Sequence, residues 1–119
     1  MLELGESPKA SSTDLVFDAS EANFMADVLD ASQTVPVIVD FWAPWCGPCR
    51  MIAPVIEEIA GAREDIVVGK LNVDEAPAIA QAYGIQGIPF IGLFQDGQLV
   101  RNAVGAMPRA GIEQALGLS

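Results

Sequence analysis

Apolar positions change their period several times along this chain, and each change marks an element. Leu15 to Phe17 is a short apolar run that reads as a strand. Ser20 follows as a helix cap before Glu21, with Phe24, Val28 and Leu29 at helical spacing behind it. Val35 to Ala43 (VPVIVDFWA) is apolar on both faces, as suits a central parallel strand covered on both sides, and one carboxylate, Asp40, interrupts it. After Cys49, the residues Ile52, Val55, Ile56 and Ile59 share one helix face, which Pro54 should kink. Ile66 to Val73 is a third strand. Asp74 and Glu75 then precede Pro77, as at the first turn of a helix, and Ile79, Ala80 and Tyr83 run to Gly84, a fitting C-terminal glycine. Phe90 to Phe94 and Gln98 to Val104 flank Asp96-Gly97, the signal of an antiparallel hairpin, and Arg109 to Leu116 is a last helix.

The resulting order β-α-β-α-β-α-β-β-α predicts an α/β fold, a mixed sheet with helices on both faces. Its second strand runs into its second helix at Cys46-Gly47-Pro48-Cys49. Chemistry in such sheets gathers at the carboxyl ends of parallel strands, so this placement gives the cysteine pair its weight. With 119 residues there is room for one domain, expected over 14–119. Residues 1–13, MLELGESPKASST, carry no apolar stretch of the length a secretory leader needs and are expected to form a flexible tail on a cytoplasmic protein. No apolar run approaches the ~20 residues of a membrane span. Six basic against sixteen acidic residues give a net charge of -10, which repels phosphate backbones and anionic headgroups, so nucleic acid and membrane are not expected partners.

Two Cys and no His narrow the chemistry further. Structural zinc needs four soft ligands and iron–sulfur clusters generally four thiolates, so one copy of the chain supplies neither, and no metal site is expected. Arg50 follows the second Cys where haem attachment requires His. Nucleophile schemes that use imidazole as base are also excluded. A C-x-x-C pair by itself is weak evidence, since zinc half-sites and chance pairs share it. At a strand-to-helix junction, with metal excluded by count, it reads as a redox dithiol. A structural disulfide is the poorer alternative, because closing so short a loop removes only about 2 kcal/mol of chain entropy.

The run Trp42-Ala43-Pro44-Trp45-Cys46-Gly47-Pro48-Cys49, with Val39-Asp40-Phe41 before it and Gly87-Ile88-Pro89 after it, resembles the thioredoxin family. Lys70 in GKLNVD, Asp96-Gly97 and Val104-Gly105-Ala106 extend the resemblance, which covers about residues 14 to 117. It implies the thioredoxin fold, a mixed central sheet of about five strands flanked by about four helices. It implies a general protein disulfide reductase, with Cys46 attacking and Cys49 resolving. The physical chemistry agrees: a thiol at a helix N-terminus is stabilised as thiolate by unpaired N–H groups and the dipole. Cys46 is expected to be exposed and Cys49, one turn in, to be buried.

The resemblance places Asp40 behind Cys49, taking that thiol's proton through water, with Lys70 on the neighbouring strand as its charge partner. An unpaired carboxylate in a central strand holds its proton to higher pH, which suits acid–base work. A structural hydrogen-bonding role for Asp40 and an ordinary strand-end charge at Lys70 are the competing readings. Pro89 resembles the family's cis proline, beside which an extended substrate can pair; an ordinary trans proline is the alternative. Trp45, Pro48, Ile88, Pro89, Gly105 and Ala106 would form an apolar docking ring around Cys46, with Gly47 admitting the substrate backbone. Trp42 is either packing or support for the site.

The resemblance further implies a monomer that binds no cofactor, acts on disulfide-containing proteins and is recycled by a separate thioredoxin reductase carrying NADPH and flavin. An oxidase or isomerase is a second hypothesis, weakened by Gly47-Pro48 where such families usually place His. A non-catalytic interaction subunit is a third. Departures from the family pattern are Pro44 and Arg50, which keep the local character, and Phe90 and Gly92, which put contacts near the substrate edge in doubt. The last helix, opening with Met107-Pro108 and carrying Gly111, should be the least stable element.

Overall fold

Alternation along one central strand sorts the core into two layers. In the computed structural model, which describes residues 15–118, that strand is β2 (Val37–Trp42). It sends Val37, Val39 and Phe41 to one face of the sheet, and Ile38, Asp40 and Trp42 to the other. Around it lie β1 (Val16–Ala19), β3 (Val67–Asn72), β4 (Phe90–Gln95) and β5 (Gln98–Val104), in the order β1-β3-β2-β4-β5. β1 and β2 both run parallel to β3, while β4 is antiparallel to β2 and β5 to β4.

Helices α1 (Gly47–Ala62) and α3 (Arg109–Ala115) cover the Asp40 face. Ile52, Ile56 and Ile59 of α1 and Ile112 of α3 pack there on Ile38, Val68, Ile91 and Leu93. The opposite face lies under a first helical segment (Met25–Asp30) and α2 (Pro77–Ala82), with Phe24, Val28, Ile79 and Tyr83 packed on Val37, Val39, Phe41 and Phe94. Phe24, Tyr83 and Phe94 meet there ring to ring, with centroids 5.4 to 5.8 Å apart. The predicted mixed sheet of five strands with four helical segments is therefore present. The Asp96-Gly97 turn has positive φ at both residues, 55° and 78°, the primed geometry that the strand twist of a hairpin requires.

Differences from the sequence reading are local. The first strand begins at Val16, not Leu15, because pairing with β3 runs from Val16 opposite Val68 to Ala19 opposite Leu71, and Leu15 is left exposed. Val35, Pro36 and Ala43 lie outside β2, and Ile66 and Val73 outside β3. The first helical segment is a π-helix that continues into a 3-10 turn (Ala31–Gln33), where an ordinary α-helix was expected. Ser20 does cap its approach: its N–H donates to Asn23 Oδ1 at 2.8 Å, and the Asn23 N–H to Ser20 Oγ at 3.3 Å, a reciprocal box with Asn in the returning role. α3 ends at Ala115, with Leu116 as its cap.

Gly92, anomalous as a strand residue, has a packing reason. A Cβ there would stand 2.8 Å from Leu99 Cδ1 and 3.3 to 3.4 Å from the rings of Phe94 and Phe90. Its absence makes room for three apolar side chains of the hairpin. The expected tail, residues 1–13, lies outside the described residues. Among the described residues, no helix is long and apolar enough to cross a membrane, and no group of three or more His, Cys, Asp or Glu could hold a metal.

Candidate active site

Where β2 ends, the chain passes through Ala43-Pro44-Trp45 and enters α1 with Cys46 as its N-cap. Cys46 is extended (φ -91°, ψ 105°) and Pro48 stands in the first turn, where no N–H donor is needed. The Cys46 sulfur accepts the Cys49 N–H at 3.2 Å, so it occupies the place of a capping oxygen and satisfies one of the helix's unpaired donors. The two cysteines are joined in a disulfide, with Cα atoms 5.3 Å apart.

Both sulfurs are inward in this oxidised state: Cys46 is 5% exposed and Cys49 3%. The expectation of an exposed Cys46 beside a buried Cys49 therefore does not hold for the disulfide form, in which both cysteines cluster with Ala43, with Trp42, Val73 and Ile88 packed against them. What distinguishes the two is their surroundings. Cys46 faces the helix N-terminus, while Cys49 lines a cavity of about 120 Å³ with Asp40, Trp42, Arg50, Ala53 and Lys70.

Asp40 sits in the middle of β2 with 4% exposure, and its Oδ1 has no hydrogen-bond partner within the protein. Burial pushes its carboxyl up to about 7, and the charge of Lys70 only partly counters that. Lys70 is Asp40's register partner on β3, so the expected pairing of strands is present. Its ammonium lies 5.9 Å from the centroid of the Trp42 ring, a cation–π placement the sequence reading did not anticipate.

The expected ring residues differ in accessibility. Trp45 is 68% exposed, Pro48 and Ala106 are exposed, Ile88 and Gly105 half-buried, and Pro89 buried. Pro89, buried just before β4, thus does not offer its own side chain as docking surface. The Ile88–Pro89 peptide is cis, and the Pro89 carbonyl accepts the Gly105 N–H at 2.9 Å, joining two segments of the ring. Gly105 has φ of 95°, a left-handed conformation that glycine supplies at little cost. Gly47 is half-buried, and no side chain crowds it closely: a Cβ there would come no nearer than 3.9 Å to Arg50 Nη2.

Two site residues escaped the sequence reading. Asp74, read only as part of a helix start, accepts the Trp45 indole N–H at 3.0 and 3.3 Å on its two oxygens and so fixes the exposed ring. Its position just past the carboxyl end of a parallel strand was the available signal. Arg50, treated as a neutral replacement, donates from Nη1 to the Pro44 carbonyl at 2.7 Å and ties the loop before Cys46 to the first turn of α1.

The Thioredoxin family profile matches residues 15–117. The chain belongs to the thioredoxin family. It is 51% identical over 98 residues to Thioredoxin 1 of Synechococcus elongatus, covering 82% of this chain and 90% of the relative. It is 50% identical to the chloroplastic M-type thioredoxin of Chlamydomonas reinhardtii, over 82% of this chain and 69% of the relative. A bifunctional thioredoxin reductase/thioredoxin of Mycobacterium leprae matches at 45% over 87% of this chain but only 22% of its own length. As a thioredoxin-family thiol–disulfide oxidoreductase, the protein works by exchange at its Cys46–Cys49 pair.

Proposed function

We propose that this protein is a general protein disulfide reductase in which Cys46 attacks and Cys49 resolves. The observation that carries the assignment is the Cys49 N–H donating to Cys46 Sγ at the head of α1. The same donor and helix dipole stabilise a thiolate at Cys46 once the pair is reduced. That thiolate attacks one sulfur of a substrate disulfide, forming a mixed disulfide and releasing the other substrate sulfur as thiolate. Cys49 then gives its proton to Asp40 through solvent and attacks Cys46 Sγ. The Cys46–Cys49 bond forms, the bond to substrate breaks, and the substrate leaves with two electrons gained. Lys70 tempers the charge that Asp40 acquires.

Trp45, Gly47, Pro48, Ile88, Gly105 and Ala106 form the docking surface, with the buried Pro89 contributing backbone only and the indole of Trp45, braced by Asp74, as the exposed apolar anchor. Electrons travel in the sulfur bonds themselves, so the reaction requires no cofactor held by the chain. A separate thioredoxin reductase returns the pair to dithiol; support comes from the Mycobacterium leprae relative, whose name joins both activities. The protein acts as a monomer in the cytoplasm, a reducing compartment in which such a dithiol is kept supplied. Its excess of acidic over basic residues favours protein partners over nucleic acid or membrane surface.

Limited alkylation of the reduced protein at neutral pH tests the assignment. Cys46 should be labelled first, and Cys49→Ser should trap substrates as mixed disulfides on Cys46. Preferential labelling of Cys49 would reverse the roles.

A further inference from the structure

Among the described residues, two buried side-chain polar atoms lack a hydrogen-bond partner within the protein: Asp40 Oδ1 and Trp42 Nε1. Asp40 and Trp42 are two apart on β2, so they stand on one face of the sheet, and both line the cavity that also reaches Cys49. Buried polar groups without partners are rare and costly, and two that border one cavity, which Arg50 and Lys70 also line, can be satisfied together by solvent held there. At about 120 Å³ the cavity has room for a few water molecules, each occupying roughly 30 Å³ in the liquid.

We propose that Trp42 is a positioning residue of the resolving step: its indole N–H donates to the solvent of this cavity and orients it between the Cys49 thiol and the Asp40 carboxylate. The inference rests on Asp40 as the proton acceptor and adds the group that aims the relay. An indole N–H can only donate, so solvent bound to it must turn its lone pair towards Trp42 and its hydrogens towards acceptors, of which Asp40 Oδ1 is the unpartnered one. Lys70 cannot fill the same role as rigidly, because its ammonium is a rotatable point charge drawn over the Trp42 ring. Lys70 from β3 is the charge that acts on Asp40; Arg50 and Cys49 of α1 line the same cavity, and β4 places Ile91 opposite it in register. In the step itself, the Cys49 proton passes to solvent and a solvent proton to Asp40, while the Cys49 sulfur bonds to Cys46 and the substrate thiolate departs.

Stopped-flow reaction of the reduced protein with a symmetrical aromatic disulfide separates the two steps, since attack by Cys46 frees the first aromatic thiol and attack by Cys49 the second. Trp42→Phe, which removes the N–H and keeps a ring, should slow the second release about three- to tenfold near neutral pH, the effect of one lost hydrogen bond. It should also move the pH midpoint of that release upward, because solvent no longer held by the indole N–H donates less well to the carboxylate, and leave the first release unchanged. Site-specific replacement of Trp42 by benzothienylalanine, which puts sulfur in place of N–H in the same shape, should reproduce the result if packing around Phe is disturbed. In an Asp40→Asn background, Trp42→Phe should add no pH shift. If Asp40→Asn moves the profile and neither replacement at 42 does, or if both merely slow the second release equally at every pH, the Trp42 proposal is wrong and the Asp40 reading stands. If Asp40→Asn leaves the profile untouched, the Asp40 reading fails and takes the relay with it.

Discussion

A carboxylic acid at the centre of a sheet sets two demands on one residue, and Asp40 shows how they trade against each other. Its folded-state value near 7 lies well above the ~3.9 of an unfolded Asp, so between these limits the folded protein holds a proton that the unfolded chain has lost. The stabilising difference is complete below pH ~4 and disappears as pH rises through 7, at about 1.4 kcal/mol for each pH unit that separates the two values. Ionised at pH 8, the buried group is a liability to the fold. Asp40→Ala should therefore stabilise the oxidised protein by about 1–3 kcal/mol at pH 8, once the cost of the enlarged cavity is deducted, with the gain vanishing or reversing near pH 4. The same variant should slow the second thiol release. Urea unfolding of both proteins across that range is the measurement, and an Ala variant less stable at pH 8 yet equally fast would make Asp40 a structural hydrogen-bonding residue.

At the level of elements, Ser32 joins two that are far apart in sequence. It is buried in the 3-10 turn after the π-helix; its Oγ donates to the Leu29 carbonyl at 2.7 Å and accepts the Gly97 N–H at 2.8 Å, while its carbonyl accepts the Asp96 N–H at 2.8 Å. Ser32→Ala would strip one donor and one acceptor of their partners, and should cost about 1–3 kcal/mol in chemical denaturation. Disulfide reduction should be unaffected, because the turn lies at the opposite end of β2 from the cysteines. An unchanged unfolding midpoint would show that solvent replaces the serine. Sequence pattern did locate the five strands and the four main helical segments, though not the 3-10 turn Ala31–Gln33, because period, Pro77, Gly84 and the Asp96-Gly97 turn are local signals. It missed the π-helical bonding of Met25–Asp30, since Phe24 and Val28 satisfy an α-helical spacing equally well. Contacts that close over long separations were equally invisible: Ser32 with Gly97, Trp45 with Asp74, Lys70 over Trp42. Asp40 and the cysteine pair stood out because each breaks or punctuates an apolar pattern. Asp74 does neither, and Arg50 matters through a carbonyl, which every residue has.

For the molecule as a whole, sixteen acidic residues against six basic ones mean that folding gathers like charges, which opposes compaction at neutral pH. Two contributions therefore act in one direction as pH falls from 7 towards 5: Asp40 takes up its proton in the folded state alone, and the general repulsion starts to relax. A limit comes from pairs such as Arg63 with Asp65, 2.9 Å apart, where hydrogen bonding to the guanidinium holds the carboxyl below its ordinary range. A lowered group stabilises above its unfolded value and loses that contribution as pH falls through the folded one. A pair this exposed opposes the gain only weakly, while protonation of the remaining carboxylates in strong acid leaves the basic residues unbalanced and turns the curve downward. Greatest stability is expected on the acid side of neutrality, at about pH 4.5 to 6. Salt separates the two contributions, because at about 0.5 M the Debye length is only ~4 Å, so exposed charges are screened while the buried Asp40 is not. Thermal unfolding should shift upward with salt at pH 7, more than at pH 5. The slope that remains between pH 5 and 7 in high salt belongs to Asp40 and should be absent from Asp40→Ala. A wild-type protein with no such residual slope would remove the buried carboxyl from the pH dependence, and one that lost stability on adding salt at pH 7 would show that specific ion pairs outweigh the repulsion.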